Sequence, residues 1–225
     1  MEYRLSPDKL IDITRPLDGS TPSWPGDVGF SKETRVYAAF HTSKLTMSSH
    51  CGTHIDPPAH LARYNTFVDD IPLNRLILPA VVVDCRGNRE IDQAFIQDIS
   101  LDGKALILKT VSDETGNSVE SMVYSYLCAN AAHLAVNRGA RIVGIDTLSV
   151  DPPDSADTHE ILLGASIPIL ENLLLDDVPP GDYLLLCFPL KITAGDGAPV
   201  RAFLQPSVTA NFTRGVLRRR IQSTQ

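Results

Sequence analysis

The sequence is poor in the residues that mark specialised architectures. One tryptophan and three methionines occur in 225 residues. The four cysteines, Cys51, Cys85, Cys128 and Cys187, lie far apart and form no CxxC pair. They exclude a small disulfide-stapled secreted fold and read as reduced thiols, most of them in the core. Positive charge is scarce too: 20 Lys+Arg against 27 Asp+Glu give a formal net charge of −7. An acidic chain argues against nucleic acid or an anionic membrane surface as its main partner. No apolar run approaches the ~20 residues that a bilayer span requires. The opening MEYRLSPDKL carries charges with no apolar stretch behind them, so it does not read as a secretory leader and a cytoplasmic protein is expected. Internal repeats, low-complexity tracts and Gly/Ser linkers are all missing. With hydrophobic residues at 43% and charged residues at 21%, ordinary globular usage, one domain over residues 1–225 is expected.

What is present divides into short segments. Prolines 16, 22 and 25 and glycines 19, 26 and 29 break residues 12–29 into turns and extended pieces. Residues 34–49 (TRVYAAFHTSKLTMSS) lack helical spacing and fit one or two strands. The apolar runs 80–85 (AVVVDC) and 105–110 (ALILKT) are of strand length, with a short helix fitting residues 92–99 between them, Asp92 as its N-cap. Residues 121–137 (SMVYSYLCANAAHLAVN) repeat apolar positions at three and four and give the clearest helix, with Gly139 as its C-terminal cap. A strand is expected over 140–146, a helix capped by Thr158 and running through Leu163, and final strands over 182–190 and 199–204. Strands outnumber helices, and the central helix-then-strand passage alone suggests a βαβ unit. The class is α/β, strand-rich with a few helices.

The chemistry concentrates in Ser49-His50-Cys51-Gly52-Thr53-His54-Ile55-Asp56-Pro57-Pro58-Ala59-His60. Three of the six histidines fall in this stretch. Pro57 and Pro58 prevent a regular helix through its end. In an extended backbone His54 and Asp56, two residues apart, share a face. Gly52 permits a bend that returns His50 to that face. Two imidazoles and a carboxylate form a hydrolytic metal set that leaves coordination positions open. His60 then stands outside the ligand set as an available base, since free imidazole titrates near 6.5. Lone histidines are usually structural or solvated, and His41 and His133 are read so. Cys51, adjacent to His50, should point the opposite way and act as filler. The arginine-rich stretch 214–220 reads as a solvated or interface helix and receives no function.

The segment HCGTHIDPPAH resembles the HxGTHxDxPxH signature of the metal-dependent cyclase-like hydrolases, a family that includes the bacterial kynurenine formamidases. Three further segments extend the resemblance: STPSWPGD at 20–27, GIDTLSVDPPDS at 144–155 and LKITAGDGAPVR at 190–201. Together they cover most of the chain from Asp12 to Leu204. The resemblance implies a swivelling β/β/α cyclase-like domain and a homodimer or higher homo-oligomer. It implies that His50, His54 and Asp56 bind one divalent cation. Asp56 would bridge to a second, held by a His and a Glu twelve residues apart, here His159 and Glu171. Two cations per chain follow, with Zn²⁺ favoured and Mn²⁺ the alternative. His60 matches the family's catalytic acid/base, and Trp24 would border the pocket and pack on a planar substrate. Phe40 and His41 are weaker candidates for that lining.

The implied reaction is amide hydrolysis, converting N-formyl-L-kynurenine to L-kynurenine and formate in tryptophan catabolism. Two rival readings share the same residues. One is an isatin-type or other cyclic amide or lactone hydrolase of the family. The other is a metal-stabilised binding protein without turnover, against which His60, beyond the three-ligand set, argues.

Overall fold

The computed structural model describes residues 5–110 and 122–207. The arginine-rich stretch 214–220 and the start of the expected long helix lie outside them. Twelve strands and two α-helices occur among the described residues. In chain order they are β1 (Ile11–Asp12), β2 (Ser31–Tyr37), β3 (Phe40–Thr46), β4 (His54–Asp56), β5 (Ile77–Asp84), β6 (Glu90–Ile91), β7 (Ala105–Lys109), β8 (Tyr126–Leu127), α1 (Ala129–Asn137), β9 (Ile142–Ile145), α2 (Asp157–Gly164), β10 (Ile169–Glu171), β11 (Gly181–Pro189) and β12 (Ala198–Pro206).

The main sheet closes on itself. Its order is β1-β12-β11-β5-β7-β9-β10-β4, and β4 pairs back onto β12. Seven strands therefore form a ring. One edge of β12 is covered by β11, and the other is shared by β4 at Ala198 and Pro199 and by β1 at Phe203 and Leu204. Closure removes the open edges that would otherwise template aggregation. Strands β5, β7, β9 and β10 run parallel, while β11, β12 and β4 are antiparallel to their neighbours. The helices α1 and α2 are the crossovers from β7 to β9 and from β9 to β10.

Alternation along the strands sorts the core into two layers. One buried set draws members from all seven ring strands, including Ile55, Ala80, Ile107, Ile142, Leu170, Leu185 and Ala202, and fills the ring. The second lies on the outer face, where Leu106, Leu108, Val143, Ile145 and Ile169 meet Ala131, Ala132 and Ala135 of α1 and Leu162 and Leu163 of α2. Strand β7 is buried on both faces, which is why it reads as a continuous apolar run. Each such leucine contributes about 1.5–3 kcal/mol by leaving water. The small alanine face of α1 lets the helix lie close against the sheet.

Two expectations need correction. The helix expected over 121–137 begins only at Ala129. Tyr126 and Leu127 are instead extended beside β6, and the amides of Tyr126, Leu127 and Cys128 donate to Arg89, Val150 and Ile91 carbonyls. Tertiary hydrogen bonds override the helical spacing there. The Thr158 cap is the second error: α2 starts at Asp157, and the Thr158 hydroxyl, inside the first turn, donates to the Leu127 carbonyl. The one or two strands expected over 34–49 are present as a hairpin of β2 and β3, paired from Ser31↔Thr46 to Tyr37↔Phe40, and all of its strand residues are exposed.

Candidate metal centre

The site lies on the outer face of the ring at its seam. Because β4 alternates, Ile55 points into the ring while His54 and Asp56 point out. The antiparallel pairing of β10 with β4 sets Glu171 directly opposite His54, and directly opposed side chains on one face meet. A carboxylate far along the chain thus arrives beside the histidine cluster through strand register. His159, in the first turn of α2, reaches the same point from above.

The distances define one compact group. His50 Nδ1 lies 2.7 Å from Asp56 Oδ1, and His54 Nε2 lies 3.4 Å from the same oxygen and 3.6 Å from Glu171 Oε2. His159 Nε2 stands 3.5 Å from Glu171 Oε1 and 3.8 Å from Asp56 Oδ2. His60 completes the group, its ring centroid 4.2 Å from that of His50 and 5.5 Å from that of His159. Two glycines make the arrangement possible. Gly52 takes φ +67° in the bend between His50 and His54, a conformation that glycine adopts without strain. The ring of His50 lies flat against Gly197, where a Cβ would fall 2.5 Å from His50 Cε1.

Electrostatics bind these groups into one system. Burial pushes Glu171 up, and the negative charge of Asp56 pushes it further. Burial would also raise Asp56, but the imidazoles of His54, His159 and His50 hold it well below the ordinary carboxylate range. Burial lowers His159, yet Asp151, Asp56 and Glu171 raise it to about 10. His50 goes to about 9 because Asp56 and Asp196 outweigh its burial. Desolvation pulls His60 down, helped by the neighbouring His50 and His159 rings, and prevails over the upward pull of Asp56 and Asp196. With its pKa lowered from 6.5, the His60 ring is mostly neutral at pH 7.

Does a divalent cation fit? Asp56 Oδ2 is buried and has no hydrogen-bond partner. An orphaned carboxylate oxygen costs about 1–3 kcal/mol or more unless something positive satisfies it. It lies beside a second buried carboxylate, and imidazole nitrogens surround the two. His/carboxylate sets of this composition suit divalent transition metals. His50, His54 and Asp56 place one candidate donor atom each within 4.8 Å of one another, as do Asp56, His60 and His159, and His50, His60 and Asp196. The donor set fits a cation.

Above the cluster is a cavity of about 500 Å³ lined by Trp24, Asp27, His60, Leu148, Ser155 and Asp196 together with His50, His54, His159 and Glu171. The structure thus brings His50, His54, His60, His159, Glu171 and Trp24 to one cavity, with Asp56 buried beneath it. Phe40 and His41 do not line it; both lie on the exposed hairpin. His133 is an exposed residue of α1, and Cys51 is buried away from the cavity. Sequence reasoning missed two residues. Asp196 lies 3.3 Å from His50 Nε2; its signal was a lone acid between two glycines in the segment 190–201. Asp151 meets His159 Nδ1 at 2.7 Å; its signal was its place in the segment 144–155.

Known proteins resemble the chain over most of its length. Residues 11–152 match the family model described as "Putative cyclase". The chain is 36% identical to a kynurenine formamidase of Bacillus cytotoxicus over 203 residues, 87% of this chain and 97% of that one. A solved structure described as a "predicted metal-dependent hydrolase" from Bacillus stearothermophilus superposes with a TM-score of 0.75 at 30% identity, covering 87% of this chain and 97% of the other. Isatin hydrolase A from Labrenzia aggregata superposes with a TM-score of 0.76 at 25% identity over 88% and 93% of the two chains. The chain belongs to the cyclase family of metal-dependent hydrolases.

Proposed function

We propose that the chain is a metal-dependent amide hydrolase that converts N-formyl-L-kynurenine to L-kynurenine and formate. The observation that carries this reading is the unpartnered, buried Asp56 Oδ2 at the floor of the cavity, ringed by His54, His159 and Glu171. In this reading His50, His54 and Asp56 hold one divalent cation, and His159 and Glu171, with Asp56 between, hold a second. Such cations supply an acidified water and a polarised carbonyl at neutral pH, and Zn²⁺ stands above Mn²⁺ in affinity for these ligands. The specific amide is supported by the relative that bears the formamidase name.

The chain's own residues do the rest. His60, neutral at pH 7, accepts the proton of the attacking water through its ring. As the carbon–nitrogen bond breaks, it returns that proton to the departing arylamine nitrogen. A positioned acid/base of this kind is typically worth about 10²–10⁴-fold in rate. Trp24 stands on the cavity wall, 36% exposed, and its flat face suits the aryl ring of the substrate.

A homodimer or higher homo-oligomer is part of the same reading, and the hairpin of β2 and β3 supports it. An isolated two-stranded hairpin is marginal in water, and Val36, Tyr37 and Phe40 are 62%, 58% and 74% exposed at its tip. Lys32, Arg35 and Lys44 against Glu33 give it a charge opposite to that of the whole chain, which suits a surface on a second copy.

The test is formate release from N-formyl-L-kynurenine by purified protein supplied with Zn²⁺ or Mn²⁺, with isatin as the parallel substrate. Formate release supports the reading. Ring opening of isatin without formate release would transfer the chain to the second reading, which its structural neighbour favours. Inertness toward both, with metal retained, would indicate a binding protein.

A further inference from the structure

Val150 and Asp151, in the loop after β9, hold both members of the second candidate cation pair. The Val150 amide donates to Glu171 Oε1 at 2.8 Å. The next residue, Asp151, is 2% exposed and makes three contacts to the start of α2. Its Oδ1 accepts from the Thr158 amide at 2.7 Å, and its Oδ2 accepts from the His159 amide at 2.9 Å and meets His159 Nδ1 at 2.7 Å. No side chain caps α2 at its own first position, so Asp151 performs that task from six residues upstream of Asp157.

The contact to the ring adds something a cap alone does not. An ionised carboxylate only accepts hydrogen bonds, so Nδ1 carries the hydrogen. The lone pair of a neutral ring then lies on Nε2, which faces Glu171 and Asp56 at 3.5 and 3.8 Å. Those separations exceed a hydrogen bond. His54 follows the same plan with a different acceptor: its Nδ1 donates to the Gly52 carbonyl at 2.8 Å, and its Nε2 faces Asp56 and Glu171. Outer acceptors of this kind fix the ring orientation and tautomer of metal-binding histidines.

We propose that Asp151 is a positioning residue, which holds the His159 ring in the tautomer and orientation that turn Nε2 toward Asp56 and Glu171. The proposal rests on the reading of His159 and Glu171 as holders of the second cation.

The experiment is a Zn²⁺ titration against a competing chelator, run on the parent protein, on Asp151→Asn and on Thr158→Ala. Asn preserves shape but removes the negative charge. Either way its amide is turned, its N–H group meets a backbone N–H of Thr158 or His159, so it holds the ring less firmly than the carboxylate does. The expected result is a tight first equivalent in all three proteins and a second equivalent weakened about 10–100-fold in Asp151→Asn alone. Thr158→Ala removes the hydroxyl bond to the Leu127 carbonyl and loosens the first turn of α2 without touching the ring, so it separates general loosening of that turn from positioning of the ring. Parent-like binding of both equivalents by Asp151→Asn would overturn the proposal, as would equal weakening by Thr158→Ala. A parent protein that takes up a single equivalent would overturn the two-cation reading and the proposal with it. A long-range ¹H–¹⁵N spectrum of the Zn²⁺-loaded parent needs no variant: protonated Nδ1 on His159 supports the proposal, and unprotonated Nδ1 refutes it.

Discussion

Replacing Gly197 by alanine adds one methyl group against the face of His50. The new Cβ would lie 2.5 Å from Cε1 and 2.9 Å from both ring nitrogens. Ordinary contact begins near 3.4 Å, so the ring must retreat by about 0.9 Å or tilt off its rotamer at about 0.5–1.5 kcal/mol. Either movement strains the 2.7 Å contact between Nδ1 and Asp56, a charge-assisted bond worth about 1.5–3 kcal/mol. A displacement near 1 Å at a reacting centre can cost about 10²-fold. The backbone at Gly197 does not adopt a positive φ, so alanine adds no strain there. It stiffens the unfolded chain by about 0.4–1 kcal/mol in favour of folding, which offsets part of the clash. Gly197→Ala should therefore lose about 100-fold in kcat/KM and bind Zn²⁺ more weakly, while Tm moves by only a few degrees. Steady-state kinetics, metal competition and a thermal melt on the same sample decide it. Parent-like kcat/KM and Zn²⁺ affinity would refute the packing argument, and a collapsed Tm would show that Gly197 serves the fold instead.

Other expectations follow from the same geometry. His60→Ala should reduce kcat by about 10²–10⁴-fold with metal content unchanged, measured by elemental analysis alongside turnover; metal loss in step with activity would instead make His60 a ligand. Leu106→Ala, beneath α1 and fully buried, should destabilise the protein by about 2–5 kcal/mol in urea unfolding, and a value under 1 kcal/mol would contradict the two-layer core. Chelation should lower Tm, because free Zn²⁺ at 100 times its Kd contributes about 2.7 kcal/mol of stability; an unchanged melt would count against bound metal. In the metal-free chain His50 and His159 sit at about 9 and 10, so both are protonated at pH 7 and metal binding must displace those protons. Apparent affinity should thus rise as pH rises toward those values, with proton release visible by calorimetry in buffers of different ionisation enthalpy.

The local half of the site was legible in the sequence. His54 and Asp56 share a face because a strand alternates, and Gly52 returns His50 because φ is positive there. Both arguments need only neighbours in the chain. Glu171 could not be reached in that way, since its place depends on the register between β10 and β4, and only the family resemblance pointed to it. Asp196 was hidden for the same reason, since it acts through His50 at 146 residues' separation. Asp151, by contrast, lies only eight residues before His159, and its contact depends on how the loop after β9 folds back on the start of α2. Ring closure was equally hidden, because it rests on a two-residue pairing between β4 and β12. The overlong helix shows the opposite failure, in which a sound periodic signal lost to backbone bonds from Arg89, Ile91 and Val150. The short strands, by contrast, were recognisable from their apolar runs, which gave the strand-rich α/β class without its topology.

The strand that carries His54 and Asp56 is also the one that joins the two ends of the barrel. Its partners on β12 lie more than 140 residues further along the chain, and such long-range pairings form late, after the entropy of closing the large loop has been overcome. During synthesis, then, His50, His54 and Asp56 emerge early but wait for β10 and β12 before their surroundings exist. The candidate ligands stand together only after Glu171, 115 residues beyond Asp56, has been made and paired. Metal capture should accordingly follow folding rather than guide it, and refolding rates should be nearly independent of Zn²⁺ even though the finished protein is stabilised by it.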